Sequence, residues 1–154
     1  GQAPGRRSRR RTATLIPTAA DATDMQLLIN IDVDDLARAE AFYREVLGCD
    51  VLRRRDDLGL RHLRAGASMI DLVAVDGKLG LRGGSAAGSE GRNVDHLCLR
   101  IEPFDEAAIV RHLAAHGLAP HGPASSNFGA EGDGPSLYLG DPDGNTVELK
   151  GPSR

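Results

Sequence analysis

The chain has 154 residues, which is enough for one compact core but not for two independent ones. Its 40% hydrophobic and 27% charged residues are those of an ordinary globular protein, and 3% aromatics with no Trp argue against stacking on bases or sugars as the main business. The net charge of −3 hides an asymmetry: residues 1–24 carry five arginines against Asp21 and Asp24, a net of +3, so the rest carries −6 and a nucleic-acid partner is not expected.

Residues 1–24 read as a disordered, Arg-rich leader. They hold no apolar run long enough for a signal segment or a membrane span. Cys49 and Cys98 form no CxxC pair, and reduced thiols in a cytoplasmic protein are the simpler expectation.

From Met25 the patterning sharpens. QLLINIDV alternates Leu27, Ile29, Ile31 and Val33 against Gln26, Leu28, Asn30 and Asp32, the period of a strand with one buried face. Asp34 or Asp35 then caps a helix over DLARAEAFYREVLG, which Gly48 stops. Strands are expected at CDVLRR, LGLRHLRA and SMIDLVAV. The same order then returns: strand NVDHLCLRI, helix FDEAAIVRHLAAHG ending at Gly117, a weak strand at LAPHGPA, and strands at PSLYLGD and NTVELKG around a DPDG turn.

Counted back from Gly48 and Gly117, the two first strands align with a single-residue gap. The chain is therefore an internal repeat of βαβββ, and each copy is too small to bury its own sheet face. The expected organisation is one domain over 25–152, with a first module at about 25–77, a Gly/Ser/Ala-rich linker at 78–92 and a second module at about 93–152. The linker has neither a strand feeding it nor a helix following it, so it lacks the logic of a phosphate loop. Ser125 to Gly134 reads as a second glycine-rich loop, either a mobile lid or a long turn.

Strand alternation sorts the polar residues. If Leu97, Leu99 and Ile101 meet a helix, His96, Cys98 and Arg100 face the other way, as do Glu148 and Lys150 on the last strand and Asp71 on SMIDLVAV. A wet sheet surface would explain such residues. The same face also carries Leu28, Met69, Val73, Cys98 and Tyr138, however, and a half-apolar face with a few convergent polar groups suits a small-molecule pocket. One imidazole and two carboxylates could hold a divalent cation such as Zn, Ni, Fe or Mn. Of the other histidines, His112 and His116 lack the Glu of a zincin helix and read as solvated, and His121 sits in irregular sequence. His62 reads as solvated or as lining a pocket with Arg64 and offering an anion contact. Cys98 reads as a small core residue, and Arg100 as a carboxylate clamp or one half of a rim salt bridge with Asp32 or Glu102.

At these residues the chain resembles the vicinal oxygen chelate superfamily, the group of glyoxalases, bleomycin-resistance proteins and extradiol dioxygenases. The resemblance covers about Gln26 to Pro152 and is carried by DVDDLARAEAFYREVLG, RAGASMIDLV, NVDHLCLRIEPFDE and, most specifically, SLYLGDPDGNTVELKG. It implies an α+β fold of two βαβββ modules whose mixed sheets curl into a cup, a homodimer, and a metal held from the first and last strands of each module. Carried over, the ligand positions fall on Asp71, His96 and Glu148, while the first-strand position of the first module falls on Leu28, which cannot coordinate. Gln26 or a water would have to fill that gap. With one histidine left, the two-histidine, one-carboxylate set of oxygen activation is missing. The resemblance thus implies a metal-dependent lyase or isomerase acting on a small vicinal-oxygen substrate. Glu148 would be ligand or base, Arg100 an anion contact, and Tyr138, Leu28 and Met69 the substrate wall. The competing expectation is a metal-free binding protein of the sequestering type, with Leu28 in an apolar wall. Neither a membrane nor a nucleic acid is expected as partner.

Overall fold

The computed structural model describes residues 27–154; the leader expected over 1–24, and Gln26, lie outside them. The first module runs β1 (Leu28–Val33), α1 (Leu36–Ala41), β2 (Asp50–Arg55), β3 (Leu60–Ala65) and β4 (Ser68–Ala74). The second runs β5 (His96–Arg100), α2 (Glu106–Ala115), β6 (Ser125–Gly129), β7 (Gly132–Gly140) and β8 (Thr146–Lys150). Each builds a four-stranded sheet with the same topology, β1-β4-β3-β2 and β5-β8-β7-β6, the first strand pairing in parallel with the last. This is the expected α+β repeat of two curled mixed sheets.

Local chemistry sets the boundaries. Asp35 is the cap of α1, its carboxylate accepting from Arg38 N at 2.9 Å, and Asp105 does the same for α2 through Ala108 N. Gly48 and Gly117 end the helical segments with φ of +74° and +70°, a conformation that costs glycine little. The first helix is not one uniform α-helix: Phe42–Val46 widens into a π-helical turn. The widened turn carries the adjacent rings of Phe42 and Tyr43, both of which are buried.

Two expectations are corrected in the second module. LAPHGPA forms no strand, and the glycine-rich Ser125 to Gly134 is neither lid nor long turn. It contains β6 and the start of β7, a tight hairpin in which Asn127 pairs with Gly134 and Gly129 with Gly132. Glycine is needed here because a Cβ at Gly134 would lie 2.7 Å from the Pro152 carbonyl oxygen. In the segment after β4, a 3-10 turn at Gly80–Gly83 packs against the first module, with Leu79 N donating to Leu58 O.

One core joins the two copies. Val33, Tyr43, Leu63, Ile70 and Leu72 of the first module form a continuous buried cluster with Leu113, Leu137, Leu139, Val147 and Leu149 of the second. The DPDG turn fastens them. Asp141 is buried and accepts from Asp143 N, Asn145 N, Asn145 Nδ2 and, across the module boundary, Tyr43 Oη at 2.9 Å. Arg38 donates to Pro142 O, Asp34 N to Asp143 Oδ1, and His112 Nε2 to Val46 O. His112 is exposed, as expected, and also ties the two modules together.

Candidate functional site

The side of each sheet away from the helices carries the polar residues picked out by strand alternation. In the second module Cys98, Glu148 and Tyr138 occupy one rung across β5, β8 and β7, with His96 one rung along. Cross-strand neighbours on one face have Cβ atoms about 5 Å apart, close enough for these groups to interact. His96 Nε2 lies 3.0 Å from Glu148 Oε2, and its Nδ1 lies 2.6 Å from Asp95 Oδ2. Tyr138 packs edge-on to the imidazole with ring centroids 5.6 Å apart, its hydroxyl accepting from Asn127 Nδ2.

A cavity of about 390 Å³ opens over His96, Cys98 and Glu148, bounded by Arg100, the hairpin residues Phe128 to Glu131, and Lys150. Lys150 is buried and donates from Nζ to the carbonyls of Asn127 and Gly134, so it straps the hairpin down across the sheet. Phe128 is 81% exposed at the rim.

The electrostatics follow from these contacts. The hydrogen bond with Asp95 holds the His96 pKa above its ordinary value against the opposing effect of desolvation, and the charge of Glu148 adds to the rise. Burial on its own would raise Glu148, yet its pKa is lowered. The polar hydrogens of Ser136, Cys98 and Tyr138 and the charge of His96 outweigh desolvation. The Cys98 thiol is pushed up to about 11 by desolvation and by Glu148, so it is no thiolate nucleophile.

The donor chemistry suits half of a divalent-cation site. A carboxylate on Nδ1 fixes a histidine so that Nε2 presents its lone pair, the arrangement usual for metal-ligating imidazoles. Here Nε2 meets Glu148, an N and O donor pair.

The remaining expected residues are elsewhere. Asp71 lies in the first module, where its Oδ1 is 2.8 Å from His62 Nδ1, and no group of three His, Cys, Asp or Glu that could hold a metal exists among the described residues. One chain therefore unites His96 with Glu148 but does not bring Asp71 to them. Leu28 sits on the corresponding face of the first module, 45% exposed and opposite Met69. Arg100 is taken up by Glu131 at 2.8 Å and Glu102 at 2.9 Å, the rim salt bridge rather than a free clamp. Sequence reasoning missed Asp95, Ser136 and the burial of Lys150. Alternation had already put Lys150 beside Glu148, whereas nothing in a lone Asp-His dipeptide marks the orienting role of Asp95.

Comparison with known proteins agrees with this architecture. Residues 26–149 match the sequence model of the Glyoxalase/Bleomycin resistance protein/Dioxygenase superfamily. Among solved structures, a virulence protein of Salmonella typhimurium superposes with a TM-score of 0.67 at 23% identity, covering 84% of this chain and 98% of that one. A lactoylglutathione lyase of Agrobacterium tumefaciens gives 0.59 at 22% identity, with 82% and 93% covered. A fosfomycin resistance protein of Mesorhizobium loti gives 0.58 at 15% identity, with 84% and 93% covered. No protein of curated function matches the chain with significance. Among the described residues, no helix is long and apolar enough to cross a membrane.

Proposed function

Because the chain belongs to the Glyoxalase/Bleomycin resistance protein/Dioxygenase superfamily, we propose that it is a metal-dependent lyase or isomerase of the glyoxalase type, acting on a small substrate with vicinal oxygens. The observation that carries this reading is the Asp95–His96–Glu148 array, with His96 and Glu148 lining the cavity. His96 Nε2 and Glu148 would hold the cation, Zn, Ni, Fe or Mn, with Asp95 as the orienting carboxylate. A bound divalent cation supplies Lewis acidity toward an enolate or alkoxide oxygen.

The chain's own residues would do the rest. Cys98, Tyr138 and the Phe128 hairpin shape the wall, and Glu148, on release, takes a proton from the substrate. Two donors leave room for further ligands, and a homodimer is the simplest way for a chain with open sheet faces to complete its cup. Arg100, neutralised by two glutamates, contributes to the rim. Asp71 is committed to His62 within its own module.

Leu28 favours a second reading, a metal-free protein that sequesters an apolar ligand, because a leucine stands at the repeat position where the second module has His96. Elemental analysis separates the two. Protein purified without tag or chelator and dialysed against each metal in turn should retain about one equivalent per chain if the first reading holds. Retention of none under any condition, with binding of small apolar compounds, would leave the second.

A further inference from the structure

The first module contains a paired imidazole and carboxylate that the function above does not use. Asp71, on β4, is almost wholly buried, its side chain only 6% exposed, and its Oδ1 lies 2.8 Å from Nδ1 of His62 on β3. The His62 side chain is 26% exposed, and no described residue lies within hydrogen-bond distance of its Nε2. An ionised Asp has only acceptors, so the contact places a proton on Nδ1, and in the neutral imidazole the lone pair is then on Nε2.

The surroundings fit a reacting group. His62 and Asp71 share a rung with Asn30 on one side and Arg53 on the other, and Arg64 and Met69 form the next rung. Among the described residues neither Arg53 nor Arg64 has a carboxylate in salt-bridge range, unlike Arg54, Arg55 and Arg61. The face thus offers two unpaired guanidiniums and an oriented imidazole over an apolar floor of Leu60, Met69 and Val73. The pair is not a leftover of the repeat, because the rung position of His62 is held in the second module by Tyr138.

We propose that His62 and Asp71 form a second, metal-independent acid–base centre on the first module, acting on small molecules that combine an activated carbonyl with an anionic group. His62 is the catalytic base and Asp71 its positioning residue. With an ester, Nε2 takes one proton from a water as the water oxygen bonds to the carbonyl carbon. The bond to the leaving oxygen then breaks with its electron pair, giving the acid and the leaving anion. The proton on Nε2 passes to solvent, while the Asp71 carboxylate balances the transient imidazolium. The guanidiniums of Arg53 and Arg64 attract the anionic group.

The test uses the full chain treated with chelator, with p-nitrophenyl acetate and the mono-p-nitrophenyl ester of succinic acid as probes. Wild-type protein should hydrolyse the succinate ester faster than the acetate ester. H62Q should lower kcat/KM by about tenfold or more, and D71N by a similar factor, because the Asn amide can donate to Nδ1 and drive the proton to Nε2. H116Q, on the opposite helical side of the fold, should leave both rates unchanged. Nitrogen-15 spectra of the wild-type protein, which require no variant to fold, should show His62 protonated at Nδ1 with Nε2 bare. A His62 protonated at Nε2, or hydrolysis unchanged in folded H62Q, overturns the proposal. A rate lost in H62Q but kept in D71N also overturns it, since the imidazole would then act without its carboxylate.

Discussion

In the second module the last-strand carboxylate, Glu148, meets an imidazole from the first strand; in the first, the carboxylate at the same repeat position, Asp71, meets one from the third strand. The last strand meets its two neighbours in the same register in both sheets, so the backbone has placed two carboxylates alike. The differences that decide each carboxylate's partner are His96 against Leu28 and Tyr138 against His62. Burying a carboxylate demands a donor, but the fold does not dictate which strand supplies it. Two modules built alike can therefore present different chemistry.

The comparison is physical only while one core holds the modules together, and the most damaging change strikes that join. Asp141→Ala removes the acceptor for four hydrogen bonds, including Tyr43, and should destabilise the chain by about 3 kcal/mol or more, read as a lower urea midpoint. Tyr43→Phe, which deletes only the bond across the boundary, should cost about 1–2 kcal/mol in the same assay.

Next in size is the orientation of His96. Asp95→Ala leaves the fold unchanged and should weaken divalent-metal binding by about 10- to 100-fold, measured by calorimetric titration. Leu28→His gives the first module the imidazole that the second has at that position. The variant should bind metal about tenfold more tightly or take up a second equivalent, an effect of about 1.4 kcal/mol per site.

The smallest expected effect is on pH dependence. In the metal-free protein His96 has a raised pKa, so its contribution to stability is complete below its unfolded value of 6.5 and is lost as pH climbs through the folded one. Glu148 has a lowered pKa, so its contribution is present above its unfolded value of 4.5 and is lost as pH falls through the folded one. The pair therefore stabilises most between pH 4.5 and 6.5. Metal binding needs neutral His96 and should strengthen as pH rises above that window. Thermal melts of wild type and His96→Gln across pH 4 to 9 should converge at the alkaline end.

Much of this was written in the sequence because it is periodic. Alternation put His96, Glu148 and Asp71 on the faces away from the helices, and Asp35, Gly48 and Gly117 marked helix ends through capping and positive φ, which are local effects. The hairpin at Ser125–Gly129 was not, because its glycines answer a tertiary demand, the close passage of Gly151 and Pro152. Nor could sequence reveal that Asp71 turns to His62. Pairing across β3 and β4 depends on register, and a one-residue slip would have put the two side chains on opposite faces. The same limit applies to Arg100, whose partner Glu131 sits 31 residues away on the hairpin turn.

The proposed metal-binding role of the second module rests on His96 and Glu148. Its most direct test is a titration of Ni or Zn into the chelator-treated full chain and into the His96→Ala, Glu148→Ala double variant, with circular dichroism confirming that both are folded. About one equivalent should bind to the wild type and none to the variant. Stoichiometric metal still bound by the folded double variant, or none bound by the wild type, would contradict it.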